Sequence, residues 1–256
     1  MNNLNKNLVF YLIIFFSFIY HLLFLGLETV NFENSFSQSI FYIKNYDINI
    51  LKNYFDNNAN TLGFSLIGFF LYKVLPFIEP SILLKFISAT GYIFLGLGIK
   101  KFYFNLKLNI SLNLFLIIIF LNPLIWTFGF RGTPDFFAFA LAFYSISNLI
   151  FSKDKNIHYF NSILFGFAIL LKFHAGFFYI VYFLLFIKDL KSKNIIRLLI
   201  STLIISFPLS LYLLVIYNVF DFFFISPLFQ SYHVTDVMTK SCSSSLVNCL
   251  INDNSV

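Results

Sequence analysis

The sequence predicts an all-α polytopic membrane protein, with about seven transmembrane helices and an outer loop that carries amphipathic helices. Three observations lead there. The chain is 59% hydrophobic and only 11% charged, too little polar surface to clothe a soluble domain of its length. Apolar runs near or above about 18 residues recur from the N-terminus onward, as membrane spans require. The runs are continuous rather than alternating, so the polar lumen face of a transmembrane barrel is missing.

The first apolar run covers residues 8–27 and is longer than the core of a signal peptide. The "GLETV" that follows lacks a small-x-small cleavage site. The run therefore reads as a retained signal-anchor helix. Further apolar segments cover 61–77, 82–99, 110–128, 136–151, 159–171, 176–187 and 195–220. Residues 1–220 form the membrane domain in this reading, and 221–256 form an extracytoplasmic tail. Cys242 and Cys249 lie in that tail and could pair there.

Loop charge sets the orientation. Loop 100–109 carries Lys100, Lys101 and Lys107 without an acid. Loop 152–158 has Lys153 and Lys155 against Asp154, and loop 188–197 has three lysines and Arg197 against Asp189. The positive-inside rule puts these three in the cytoplasm. The turn 129–135, the turn 172–175 and the tail then face out. Two readings of 61–77 stand: a segment that dips in and returns, or a full span with the N-terminus outside.

Loop 28–60 is the acidic one, with Glu28, Glu33, Asp47 and Asp56 against Lys44 and Lys52. Within it "SFSQSIFYIKN" places Phe36, Ile40, Phe41 and Ile43 at roughly helical spacing. That pattern suits an amphipathic helix lying on the membrane surface. The wealth of Phe, Ile, Asn, Lys and Tyr fits an AT-rich coding bias. The net charge of +6 needs no nucleic acid, since the lysines cluster in short loops between spans.

Two stretches carry charge where apolar chain surrounds it. "GFRGTPDFF" holds Arg131 and Asp135. A carboxylate at a helix start caps free N–H groups and suits the macrodipole, and proline fits a first turn. Arg131, four residues away, offers a simple salt bridge. "ILLKFHAGFF" interrupts the run 159–187 with Lys172. This suits two short helices meeting at "KFHAG", with Gly176 permitting a tight turn. Lys172 serves as an interface-snorkelling residue or as a point charge for phosphate oxygens. His174 beside it is a weaker candidate for the same phosphate site, and His21 in the first span reads as structural. Lys73, Glu79 and Lys85 read as interface anchors. The four histidines show no metal-ligand spacing. No cofactor is inferred, and a divalent metal stays open.

The order of these features resembles the membrane-embedded glycosyltransferases of the C-type fold. Protein O-mannosyltransferases, lipid A aminoarabinose transferases and the bacterial dolichyl-phosphate-mannose-mannosyltransferase-like proteins belong there. A signal anchor precedes an acidic outer loop, and a later span ends in "IKKFYFN". An outer turn with Asp follows, and then a helix pair broken at Lys. The likeness covers roughly residues 8 to 190 and rests on layout and loose motifs. The family's acidic residue after the first helix matches "NFENSFSQSIFYIKN", which nominates Glu33 as catalytic base with Glu28 in reserve. The family's usual Asp-Glu pair is absent there. Its second acid corresponds to Asp135, and its lysine to Lys172.

The resemblance implies a polyprenyl-phosphate sugar as donor, a glycan, lipid or protein as acceptor, and a bacterial inner-membrane location. Arg131, Lys172 and His174 would contact the lipid phosphate, and Asp135 would orient the acceptor or Arg131. Family members are usually longer, so a fragment, a minimal version or one part of a complex all fit. A transporter or lipid flippase is the rival class, because charges in membrane segments also mark transport pathways. The repeat of broken helices typical of transporters is not found. A non-catalytic membrane subunit is the third reading.

Overall fold

A computed structural model describes residues 3–23, 25, 31–45, 63–106, 109–151, 155–187 and 192–220. Every regular element among them is helical. They are α1 (Asn3–Leu22), α2 (Asn31–Asn45), α3 (Gly63–Val74), α4 (Pro80–Leu106), α5 (Leu112–Phe120) and α6 (Pro123–Gly129). After these come α7 (Pro134–Phe151), α8 (Lys155–Leu171), a 3₁₀ turn (Phe173–Gly176), α9 (Phe177–Ile187) and α10 (Ser192–Phe220).

Among the described residues, three helical stretches are long and apolar enough to cross a membrane: Pro80–Leu106, Pro134–Phe151 and Ile195–Val215. A fourth span exists if α5 and α6, which meet at a 65° bend, count together. The count corrects the expected seven. Among the described residues, the stretches Leu8–Leu22, Gly63–Val74, Asn156–Leu171 and Phe173–Leu184 are apolar and 10–17 residues long, below the ~20 of a typical span.

Two breaks have local causes. The expected span 110–128 bends because Pro123 cannot donate a helix hydrogen bond and holds the preceding residue out of the helical region. Asn122 is extended (φ −63°, ψ 123°), and its side chain accepts from the Leu124 N–H to start α6. The second break falls at "KFHAG", where the sequence put it. Lys172 is extended (φ −149°, ψ 114°), and the 3₁₀ turn follows. Gly176 is not the permissive element there. It lies outside the left-handed region, and an added Cβ would meet only Ile169, at 3.9 Å.

Close approaches give the helix register. Gly91 faces Phe136 and Ala140, and Gly98 faces Phe143 and Tyr144, so α4 and α7 run parallel. The hydrogen-bonded pairs Lys100–Tyr11, Tyr92–His21 and Lys85–Leu25 make α1 antiparallel to α4. Gly166 faces Ile205 and Pro208, and His158 meets Ser201, so α8 and α10 run parallel with α9 as the return. One end of the bundle thus gathers Leu25, Lys85 and Asp135, together with the end of α8. The other gathers Tyr11, Lys100 and Tyr144. At about 1.5 Å per residue, α4 separates Lys85 from Lys101 by roughly 24 Å.

α2 and α3 sit at the Asp135 end. Gly63 abuts the Leu170 carbonyl, and Gly68 abuts Ile40 and Leu84. At 12 residues, α3 is about 18 Å long. It packs against α2, α4 and the end of α8. α2 was expected on the membrane surface, and the structure corrects this. Phe36 and Ile40 are fully buried in a core shared with Phe64, Ala138, Leu171 and Ala175. Ser39 hydrogen-bonds Ser65, and Ser65 donates to the Phe36 carbonyl. A helix whose apolar stripe meets protein gains the same burial that a lipid surface would supply. The tail 221–256, with Cys242 and Cys249, lies outside the described residues.

Candidate functional site

The site is built on two chain breaks at one end of the bundle. Pro134 begins α7, and Asp135 lies in its first turn. The end of α8 faces it. There the Lys172 N–H still donates to Ala168, while the extended conformation of Lys172 turns the chain away from the helix. Its carbonyl accepts from Ala175 at 2.9 Å, closing the 3₁₀ turn. The outcome is a Lys172–Asp135 ion pair of 3.0 Å, with the two side chains 21% and 33% exposed. Both therefore keep solvent access while resting on apolar neighbours.

Asp135, Lys172 and His174 line a cleft of about 170 Å³, floored by Ala138, Phe139 and Ala175. His174 also lines a second cavity of about 490 Å³ between α8, the 3₁₀ turn, α9 and α10. Ile169, Phe177, Ile205 and Leu209 make that wall apolar. Tyr179 and Thr202 on its wall hydrogen-bond each other at 2.6 Å. A small charged cleft and a larger apolar groove thus meet at one exposed histidine.

Arg131 does not join this cleft. Its guanidinium lies over the Phe128 ring at 5.7 Å, and it makes no ion pair among the described residues. The expected Arg131–Asp135 pairing is corrected, because Asp135 takes Lys172 instead. The i,i+4 relation holds only inside a helix, and Arg131 precedes α7. Glu33 lies in the first turn of α2, and its side chain lies outside what the structure describes. Phe36, one turn on, belongs to the core that also contains Ala138 and Ala175 beside the cleft. Glu28 lies outside the described residues. Among the described residues no group of three His, Cys, Asp or Glu converges as metal ligands do.

The short α6 that leads into the turn before Asp135 is held by a polar stripe of α4. Lys85, Ser88 and Tyr92 form one stripe of α4, spaced three and four apart. Each lies within hydrogen-bond reach of a backbone carbonyl: Lys85 of Leu25 at 3.3 Å, Ser88 of Phe128 at 3.4 Å and Tyr92 of Ile125 at 3.1 Å. Tyr92 also meets His21 Nε2 at 2.8 Å, and His21 Nδ1 lies 2.6 Å from the Ser17 carbonyl. The stripe ties the end of α1 and the short α6 to α4. Lys85 is 3% exposed, so it is a buried strut and not the interface anchor its charge suggested. Gly129 makes room for the stripe, since a Cβ there would lie 2.4 Å from the Tyr92 hydroxyl. The signal was present in the sequence as a lysine three residues before a serine and seven before a tyrosine, inside an apolar run.

No protein family model, curated protein or solved structure matches this chain.

Proposed function

We propose that the protein is an integral-membrane glycosyltransferase. It moves a sugar from a polyprenyl-phosphate donor to an acceptor on the extracytoplasmic face of a bacterial inner membrane. One observation carries the reading: the 3.0 Å Lys172–Asp135 pair lines a cleft that meets an apolar groove at His174. A donor with a phosphate head and an isoprenoid tail needs both surfaces, side by side.

The chemistry needs few groups. The acceptor hydroxyl attacks the anomeric carbon as the bond from that carbon to the phosphate oxygen breaks. The proton passes to a carboxylate, and the electron pair leaves with the polyprenyl phosphate. A phosphate leaving group requires no general acid, so one base suffices. Glu33 is assigned that role, with Glu28 in reserve. Lys172 stabilises the charge growing on the departing phosphate, and His174 stands at the entrance. Asp135 holds the Lys172 ammonium at the cleft. Arg131 contributes positive charge to the same face. Direct displacement inverts the sugar carbon. Helices too short to span unaided complete the membrane domain through their packing on α4, α7 and α10.

The test is a transfer assay on membranes containing the protein, with polyprenyl-phosphate sugars labelled in the sugar. Appearance of label in an acceptor, with the anomeric centre inverted, supports the reading. Scrambling of the labelled lipid between leaflets of proteoliposomes, with no transfer, replaces it with the flippase.

A further inference from the structure

The end of the bundle opposite Asp135 carries a second polar cleft, of about 390 Å³, between α4 and α7. Lys100, Lys101, Asn105, Tyr144 and Asn148 line it, beside the apolar side chains Leu97 and Phe104. Two ammonium groups thus share a concave wall that contains no acid among the described residues. Lys100 is already engaged: it donates to the Tyr11 hydroxyl at 3.0 Å and lies 4.6 Å from the centre of the Tyr11 ring. Lys101 is different. Its carbonyl accepts from Asn105 at 2.7 Å, and its ammonium makes no ion pair among the described residues.

The lining has the chemistry of a phosphodiester site. Lysine supplies point charge and the Tyr144 hydroxyl a neutral donor, while Asn105 and Asn148, which already donate to the Lys101 and Tyr144 carbonyls, each keep a second amide N–H. Leu97 and Phe104 offer apolar surface to what lies beyond the phosphate. Lys100 and Lys101 lie in the last two turns of α4 and are among the charges that mark the cytoplasmic side. Roughly 24 Å of α4 separates this cleft from the Asp135 end, on the order of the hydrocarbon thickness of a bilayer. A phosphate bound here therefore sits at headgroup depth in the opposite leaflet. Basic pockets between transmembrane helices on that side suit anionic lipid heads.

We infer that the Lys100–Lys101 cleft binds the headgroup of an anionic phospholipid from the cytoplasmic leaflet, with Lys101 as its principal phosphate contact. The site anchors α4 to α7 at the end remote from the ion pair. The inference stands apart from the glycosyltransferase reading, since it requires no transfer activity.

The experiment uses the full chain, delipidated in neutral detergent. Native mass spectrometry and thermal unfolding are recorded with phosphatidylglycerol, phosphatidylcholine or inorganic phosphate added. Phosphatidylglycerol is expected to bind and to raise the melting temperature, while the other two do neither. Lys101→Gln should weaken phosphatidylglycerol binding about fivefold, as one surface lysine contributes. Lys101→Arg should keep it, and so should Lys73→Gln at the other end. The inference is overturned if phosphatidylcholine binds equally well, or if inorganic phosphate alone reproduces the stabilisation. It is equally overturned if Lys101→Gln binds like the wild type, or if Lys73→Gln weakens binding as much. Should Lys101→Gln fail to fold, the comparison of Lys101→Arg with Lys73→Gln and the three added ligands decides the matter.

Discussion

The Lys172 ammonium lies 3.0 Å from the Asp135 carboxylate, bridging the start of α7 and the end of α8. The two residues are far apart in sequence, and each stands where a helix is interrupted. The pair is partly exposed, so its contribution to stability is modest. A half-buried pair of opposite charge at a cleft mouth is better explained by what it can hold. Asp135→Asn should leave folding nearly intact, which circular dichroism and the melting temperature would check. A melting temperature lowered as far as by a core substitution would assign the pair to the scaffold.

Gly129 is where α6 admits Tyr92. A Cβ would lie 2.4 Å from the Tyr92 hydroxyl and 2.7 Å from its ring. Tyr92 is fully buried and cannot swing away. Gly129→Ala should therefore destabilise the protein by about 1–3 kcal/mol through overpacking. Thermal unfolding in detergent reads this, and an unchanged melting temperature would mean that α6 shifts freely.

Tyr92→Phe tests the stripe itself. The substitution removes one hydroxyl whose single proton lies within reach of both His21 Nε2 and the Ile125 carbonyl. Leaving buried polar groups unmet costs about 1–3 kcal/mol. Ser88→Ala, whose bond to Phe128 is longer at 3.4 Å, should cost less. Equal losses from the two would argue against a graded stripe.

A topology measurement separates the two ends. In a Cys242→Ser, Cys249→Ser background, single cysteines replace Arg131 or Lys101. A membrane-impermeant maleimide on intact cells should label position 131 and leave position 101 unlabelled until the membrane is opened. Labelling of position 101 alone would invert the orientation drawn from loop charge.

Much of the architecture was legible in the sequence. Continuous apolar runs gave the all-helical class, and Lys172 within such a run marked the break that the structure has. "TPD" marked the start of α7. Loop charge placed Asp135 and Lys172 on one side, and the bundle brings them together. The span count was not legible, because hydropathy registers apolar length and not whether a helix continues. Pro123 and Asn122 divide one run into two helices at 65°. The amphipathic spacing of Phe36 and Ile40 could not distinguish a lipid surface from a protein one, and α3 with α4 supplied the latter. Lys85 was misread for a similar reason. A lysine in an apolar helix looks like an anchor until the carbonyl it serves, that of Leu25, is in view. Arg131 was matched to Asp135 by a helical spacing that does not apply ahead of the helix.

The most direct test of the central claim is sugar transfer by Lys172→Ala and Glu33→Gln. Membranes with matched protein content receive a labelled polyprenyl-phosphate sugar, and the initial rate is read. Removing the charge proposed to meet the leaving phosphate should lower the rate on the order of 10²-fold or more, with Lys172→Arg retaining part of it. Glu33→Gln should fall at least as far. Transfer by Lys172→Ala at the wild-type rate would contradict the account.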